Sequence, residues 1–158
     1  MRLYVVRHAH AGHRGAWDGP DAARPLSKKG RRQAEGIAER LGSCGAGRLL
    51  SSPAARCVET LGPLAERLGV PVEVDRRIEE GARGGDALAL ADELRRAGPD
   101  GVAVVCSHGD VIPDLLRLLR DRGVRVGDPL VWPKASTWVV SSAGDRWASG
   151  RYVPPPET

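Results

Sequence analysis

Leu3-Tyr4-Val5-Val6-Arg7-His8-Ala9-His10-Ala11-Gly12 sets four apolar, partly β-branched residues directly before an Arg-His pair and a small turn closed by glycine. Such a run reads as a buried strand that delivers two polar side chains at its carboxyl end, where open α/β sheets place their chemistry. Arg7 supplies a fixed cation with a planar fork of donors. His8 is the side chain best suited to act as nucleophile or proton carrier near neutral pH. The pair suits an anionic substrate.

The same layout recurs a hundred residues on. Gly101-Val102-Ala103-Val104-Val105-Cys106 is the most continuous apolar run in the chain and reads as a central strand buried on both faces. It ends in Ser107-His108-Gly109-Asp110, and the helix after it turns Val111, Ile112, Leu115, Leu116 and Leu119 inward. Two histidines therefore converge on one edge of a sheet. Between these runs, Ser27 is a plausible N-cap for a helix with Ala34, Ile37, Ala38 and Leu41 on one face, ending near Gly42. A short strand, Arg48 to Leu50, leads into Ser51-Ser52-Pro53, where Ser52 reads as a cap and Pro53 as the first helical residue. The helix that follows is expected to bury Val58, Leu61, Ala65 and Leu68, with Pro63 kinking or interrupting it. Arg56 falls in its first turn, facing the same crevice as Arg7 and His8.

Further expectations are a third strand over Val70 to Val74, a charged, Gly-rich loop from Asp75 to Gly85 carrying Glu79 and Glu80, and a short helix marked by Leu88, Ala91 and Leu94. His13 to Arg24 reads as a mobile loop, Gly127 to Pro133 as a connection, and Ser136 to Tyr152 as a hairpin about Gly144-Asp145. The alternation of strands and helices implies an α/β layer fold.

At 158 residues the chain is expected to form a single domain over 1–158. Of its 24 basic residues only Lys28, Lys29 and Lys134 are lysines, and the net charge of +4 favours anionic partners. Nucleic acid is not among those expected, because the basic residues are scattered and the four Trp are not interleaved with them. Cys44, Cys57 and Cys106 show no C-x-x-C spacing, which argues against a disulfide framework or zinc site and for a reducing compartment. No apolar run reaches the length of a signal peptide or membrane span, so no membrane partner and a cytoplasmic location are expected.

On an α/β frame, Arg7, His8, Arg56 and His108 form one basic cluster with the Glu79 or Glu80 carboxylate nearby. Two guanidiniums and one histidine make a phosphate cradle, since Arg grips phosphoryl oxygens with paired charge-assisted hydrogen bonds. The other histidine can attack phosphorus and split hydrolysis into two easier steps, while a carboxylic acid protonates the departing oxygen.

These residues resemble the motifs of the histidine phosphatase, or phosphoglycerate mutase-like, superfamily. Arg7-His8-Ala9-His10-Ala11-Gly12 looks like its Arg-His-Gly motif in the Ala-containing form of the small SixA-type phosphohistidine phosphatase branch. The likeness continues through Pro25-Leu26-Ser27 with Gly30 and Gln33-Ala34, Ser51-Ser52-Pro53 with Arg56 and Thr60, and Ser107-His108-Gly109-Asp110. Lys134-Ala135-Ser136-Thr137-Trp138-Val139 also looks like the phosphatase domain that some actinobacterial MutT-type proteins join to a Nudix hydrolase domain. The resemblance implies a three-layer α/β/α fold with a mostly parallel sheet. It also implies a metal-independent, cofactor-free phosphatase in which His8 is phosphorylated, Arg7, Arg56 and His108 hold the phosphate, and an acid after the third strand donates a proton.

Ile78-Glu79-Glu80 looks like the family's Leu-x-Glu element, which favours Glu80 over Glu79. His10 and Lys134 are candidate substrate contacts. The substrate is expected to be a phosphorylated small molecule, a nucleotide or a phosphohistidine protein. Two other readings compete: a phosphate-binding regulatory module without turnover, and a metal-dependent hydrolase built on His8 and His10.

Overall fold

The computed structural model describes residues 1–158. In chain order the elements are β1 (Arg2–Arg7), α1 (Lys28–Leu41), β2 (Arg48–Ser51), α2 (Ala55–Leu68), β3 (Val72–Val74), α3 (Gly84–Ala97), β4 (Val102–Ser107), α4 (Val111–Asp121), β5 (Arg125–Val126), β6 (Thr137–Ala143) and β7 (Arg146–Val153). The seven strands form one sheet in the order β3-β2-β4-β1-β6-β7-β5. β1–β4, β2–β4, β2–β3 and β5–β7 pair in parallel, and the predicted hairpin adds the antiparallel β1–β6 and β6–β7 pairs.

Period-two alternation along the central strands divides the apolar core between the two sheet faces. Leu3, Val5 and Val105 pack with Ile112 and Leu116 of α4 and Leu94 of α3. Val6 and Val104 pack on the other side with Ile37 of α1 and Leu61 of α2. The result is the expected α/β/α sandwich. No helix is long and apolar enough to cross a membrane.

Several local expectations are corrected. α2 has no side-chain cap and starts at Ala55, because the Ser52 hydroxyl is engaged by His108 instead. Pro63 sits inside an unbroken α2, whose buried face is Cys57, Leu61 and Leu64; Val58, Ala65 and Leu68 are only half-buried. β3 begins at Val72 because Gly69, at φ 66°, ends α2, and the Val70 N–H is donated back to the Ala65 carbonyl. α3 takes in Gly84 and Gly85, which read as loop: a Cβ at Gly84 would lie 2.7 Å from the Asp114 Cβ, so that glycine serves close helix packing. The predicted mobile loop before α1 is folded into two 3-10 turns, Arg14–Ala16 and Asp21–Ala23, with Arg24 buried beneath. The two-residue β5 was not expected.

Two contacts tie loops to the carboxyl end of β1. Ala135 holds a φ of 67°, which costs a non-glycine residue roughly 1–2 kcal/mol, and its N–H lies within reach of both the Arg7 and His8 carbonyls. Ser27, the predicted N-cap, accepts from the Gly30 N–H, while its own N–H and hydroxyl both donate to the His10 carbonyl. A Cβ at Gly30 would stand 1.9 Å from that same carbonyl oxygen. Gly30→Ala is therefore expected to cost about 3 kcal/mol or more, read as a lower urea midpoint. Gly62→Ala, whose Cβ meets no heavy atom within 4 Å inside α2, should be neutral or stabilise by up to about 1 kcal/mol.

Candidate active site

Because β1 and β4 are adjacent and parallel with Arg7 opposite Ser107, the residues after them are neighbours. The His8 and His108 ring centroids lie 5.3 Å apart at 61°. Both rings are buried, at 5 % and 2 % exposure. His8 Nδ1 stands 2.8 Å from the Ala9 carbonyl oxygen, which can only accept, so the hydrogen-bond network assigns the proton to Nδ1 and the lone pair to Nε2. Burial lowers the His8 pKa to about 3, with the positive ends of His108, Arg56 and Arg7 adding to the shift and the Ala9 bond opposing it. The ring is neutral across the physiological range.

His108 Nε2 lies 2.7 Å from Ser52 Oγ and 3.5 Å from Cys57 Sγ. Ser52 Oγ accepts from the Ala54 N–H, which leaves its own proton for Nε2 and puts the His108 proton on Nδ1. That Nδ1 is buried without a partner, and so are the Nε donors of Arg7 and Arg56. All three side chains line one cavity of about 530 Å³, together with His8. Buried donors are rarely left unpaired, because each costs roughly 1–3 kcal/mol. Three on one wall fit a ligand that brings several acceptor oxygens. Gly109 makes room for one of them: a Cβ there would lie 2.7 Å from the Arg7 Cζ.

The cavity rim carries the rest of the charge. Arg56, 1 % exposed, donates through Nη1 to the Asp21 carbonyl, and its Nη2 lies 3.2 Å from Asp21 Oδ2 and 3.1 Å from Glu80 Oε2. Arg14 bridges Asp21 Oδ1 at 3.1 Å and Glu80 Oε1 at 2.8 Å. Arg24 pairs with Asp21 and donates to the Ala11 carbonyl. Glu80, Lys134, Arg14, Arg24 and Asp110 line the cavity. Asp110 accepts from the Gly81 N–H.

Of the predicted site residues, Arg7, His8, Arg56, His108, Glu80 and Lys134 come together here. Glu79 turns away to Arg76 and lies outside the lining. His10 lies outside the cavity lining: its Nδ1 stands 2.6 Å from Ser27 Oγ and its N–H donates to Gln33, so it braces the start of α1. His8 and His10 accordingly turn to different partners, which removes the shared face that the metal-site reading required.

Sequence reasoning missed Asp21, Arg24, Ser52 and Cys57. The first two lie in a Gly- and Pro-rich stretch with no periodicity to place them, and Ser52 carried a stronger capping signal than a histidine-binding one. Thr60, four residues after Arg56, was noticed only in the motif; its hydroxyl donates to the Arg56 carbonyl and accepts from the Ala9 N–H, joining α2 to the turn after β1.

The family model of the histidine phosphatase superfamily (branch 1) matches residues 3–87. The 8-oxo-(d)GTP phosphatase of Mycolicibacterium smegmatis is 35 % identical over 156 residues, covering 98 % of this chain and 48 % of that protein. The chain thus spans about half the length of that curated relative. Two solved structures share its fold. The protein histidine phosphatase SixA complexed with tungstate has a TM-score of 0.78 at 20 % identity, covering 99 % of this chain and 96 % of that one. The mycobacterial glucosyl-3-phosphoglycerate phosphatase complexed with VO3 has a TM-score of 0.73 at 22 % identity, covering 99 % of each.

The depressed pKa of His8 fixes a pH dependence of stability. Between about 3 and the ordinary histidine value of 6.5 the unfolded chain binds a proton that the folded chain does not, so stability is full above pH 6.5 and is lost as pH falls through that window. His8→Gln should remove on the order of 2 kcal/mol of this loss by pH 5, seen as a flatter urea midpoint between pH 7 and pH 5 than that of the parent.

Proposed function

The chain belongs to branch 1 of the histidine phosphatase superfamily, and from that membership we propose that it is a metal-independent phosphatase that works through a phosphohistidine on His8. One observation carries the reading: a neutral His8 with Nε2 free of protein partners lines the same cavity as the unpaired donors of Arg7, Arg56 and His108. A regulatory module without turnover would need the cradle but not the uncharged imidazole.

The transferred phosphoryl group sits among Arg7, Arg56 and His108, whose donors match its equatorial oxygens and follow the charge as it develops. His8 Nε2 attacks phosphorus as the bond to the leaving oxygen breaks, and the Nδ1–H goes on donating to the Ala9 carbonyl, which steadies the ring as it becomes cationic. Phosphate oxygens compete with Glu80 for Arg56; the carboxylate so released takes a proton from solvent and gives it to the leaving oxygen, then takes one from the water that cleaves the P–N bond. The guanidiniums supply the positive charge, so the reaction needs no metal ion or other cofactor.

The substrate class is a phosphorylated small molecule, a nucleotide or a phosphohistidine protein. The name of the 35 % identical relative supports a nucleotide. The free thiols of Cys44, Cys57 and Cys106 fit a cytoplasmic location.

His8→Ala should reduce phosphate release to the level of a protein-free blank, with chelator present throughout, while the melting temperature stays within a few degrees of the parent. A melting temperature that collapsed with the activity would mark His8 as a core residue instead. Glu80→Gln should slow alkyl phosphates about 10²-fold or more and an activated aryl phosphate far less, since an activated leaving group needs little protonation. Equal losses on both would remove Glu80 from the acid role.

A further inference from the structure

The charges around the cavity are not evenly neutralised. Arg14, Arg24 and Arg56 each stand in salt-bridge contact with Asp21, Glu80 or both. Arg7 and Lys134 have no such carboxylate. Arg7 donates Nη1 to the Trp132 carbonyl, two residues before Lys134, and the one acid lining their part of the wall, Asp110, accepts from Gly81 and acts on Arg7 only at longer range. The segment that carries Lys134 is fixed rather than free, because the Ala135 N–H is held by the Arg7 and His8 carbonyls and the Ser136 carbonyl accepts from the Arg7 N–H. Lys134 is half-buried, and its pKa is lowered first by burial and then by Arg7, Arg24 and Arg56. Its like-charged neighbours thus include both guanidiniums of the phosphate cradle, Arg7 and Arg56, together with Arg24. An ammonium crowded against cations and given no counter-ion by its own chain is a site for an anion on the ligand.

We infer that Lys134 forms a second anionic subsite beside the phosphoryl cradle, on the Arg7 side, one that selects substrates carrying a further phosphate in anhydride linkage to the transferred group. The inference rests on the phosphatase reading above for the position of the transferred group. The cavity, about 530 Å³, has room for a second phosphate alongside the first. An anhydride bridge keeps the two phosphates adjacent, as Lys134 is adjacent to the cradle guanidiniums. A carboxylate two carbons away from a single phosphate would place its charge farther off. Lys134 is then a specificity-determining residue, positioned by the hook at Ala135 beside the end of β1.

The test has a binding arm and a turnover arm, both on the full chain. Calorimetric titration compares inorganic phosphate, inorganic pyrophosphate and 3-phosphoglycerate on the parent, Lys134→Ala and Lys134→Arg. The parent should bind pyrophosphate more tightly than phosphate. Lys134→Ala should weaken pyrophosphate at least about tenfold more than it weakens phosphate or 3-phosphoglycerate, and Lys134→Arg should recover part of that difference. In turnover, kcat/KM for a nucleoside diphosphate should fall by the same extra factor relative to an activated aryl phosphate. Equal losses for phosphate and pyrophosphate, or a parent that does not prefer pyrophosphate, overturn the subsite. A loss on 3-phosphoglycerate as large as that on pyrophosphate overturns the anhydride assignment. Selective pyrophosphate binding by a parent that releases no phosphate from any substrate would overturn the phosphatase reading and leave the subsite standing.

Discussion

The parallel pairing of β1 with β4 is the contact on which everything else depends. Its register, from Arg2 opposite Val102 to Arg7 opposite Ser107, continues for one more bond, from the His8 N–H to the Ser107 carbonyl. Two strands in that register must finish level with each other, and each is followed at once by a histidine. A slip of one residue would exchange the side chains that β1 sends to its two packed faces, so the burial of Leu3, Val5 and Val6 enforces the register that brings the two imidazoles together. The packing that stabilises the sheet and the geometry that positions the site are the same constraint.

Around that pair the groups differ in kind. His108 faces the Ser52 hydroxyl and the Cys57 thiol, from the turn before α2 and from α2 itself, while the guanidiniums of Arg7 and Arg56 line the same cavity and Glu80 pairs with Arg56. Burial keeps His8 uncharged, and the nearby cations reinforce this, so the ring is held in the form that can attack an electrophile.

Much of this was legible in the amino-acid sequence because it rests on periodicity. Apolar runs ending in Arg7-His8 and Ser107-His108 predict two strands and the place of their histidines, and alternation with helices predicts the layers. Arg56 follows from its place in the first turn of α2, whereas Glu80 is favoured over Glu79 only by the resemblance of Ile78-Glu79-Glu80 to the family's Leu-x-Glu element. What was not legible depends on contacts between segments with no pattern of their own. Asp21 acquires its role from the ion pair with Arg56 and Arg24 from its bond to the Ala11 carbonyl, and the Ser52 hydroxyl, which reads as a local cap, is engaged instead by His108, 56 residues on. The surroundings of His10 have a related cause. A histidine two residues from His8 shares its face only if the strand continues, and here the chain leaves the sheet after Arg7, so His10 meets Ser27. The glycines of α3 were read as loop because helix-to-helix proximity leaves no trace in a single chain's composition.

The double grip of Asp21 and Glu80 on Arg56 bears on how the site empties. Two tethered carboxylates present themselves to the guanidinium at an effective concentration far above that of any metabolite, on the order of millimolar or more for groups linked through short segments. Free phosphate must compete with these built-in rivals for each grip on the arginine. A ligand that makes contacts beyond the phosphate has that extra affinity to set against the competition; free phosphate does not. The rim acids therefore weight the site against bare phosphate, which a naked cluster of arginines would hold more tightly.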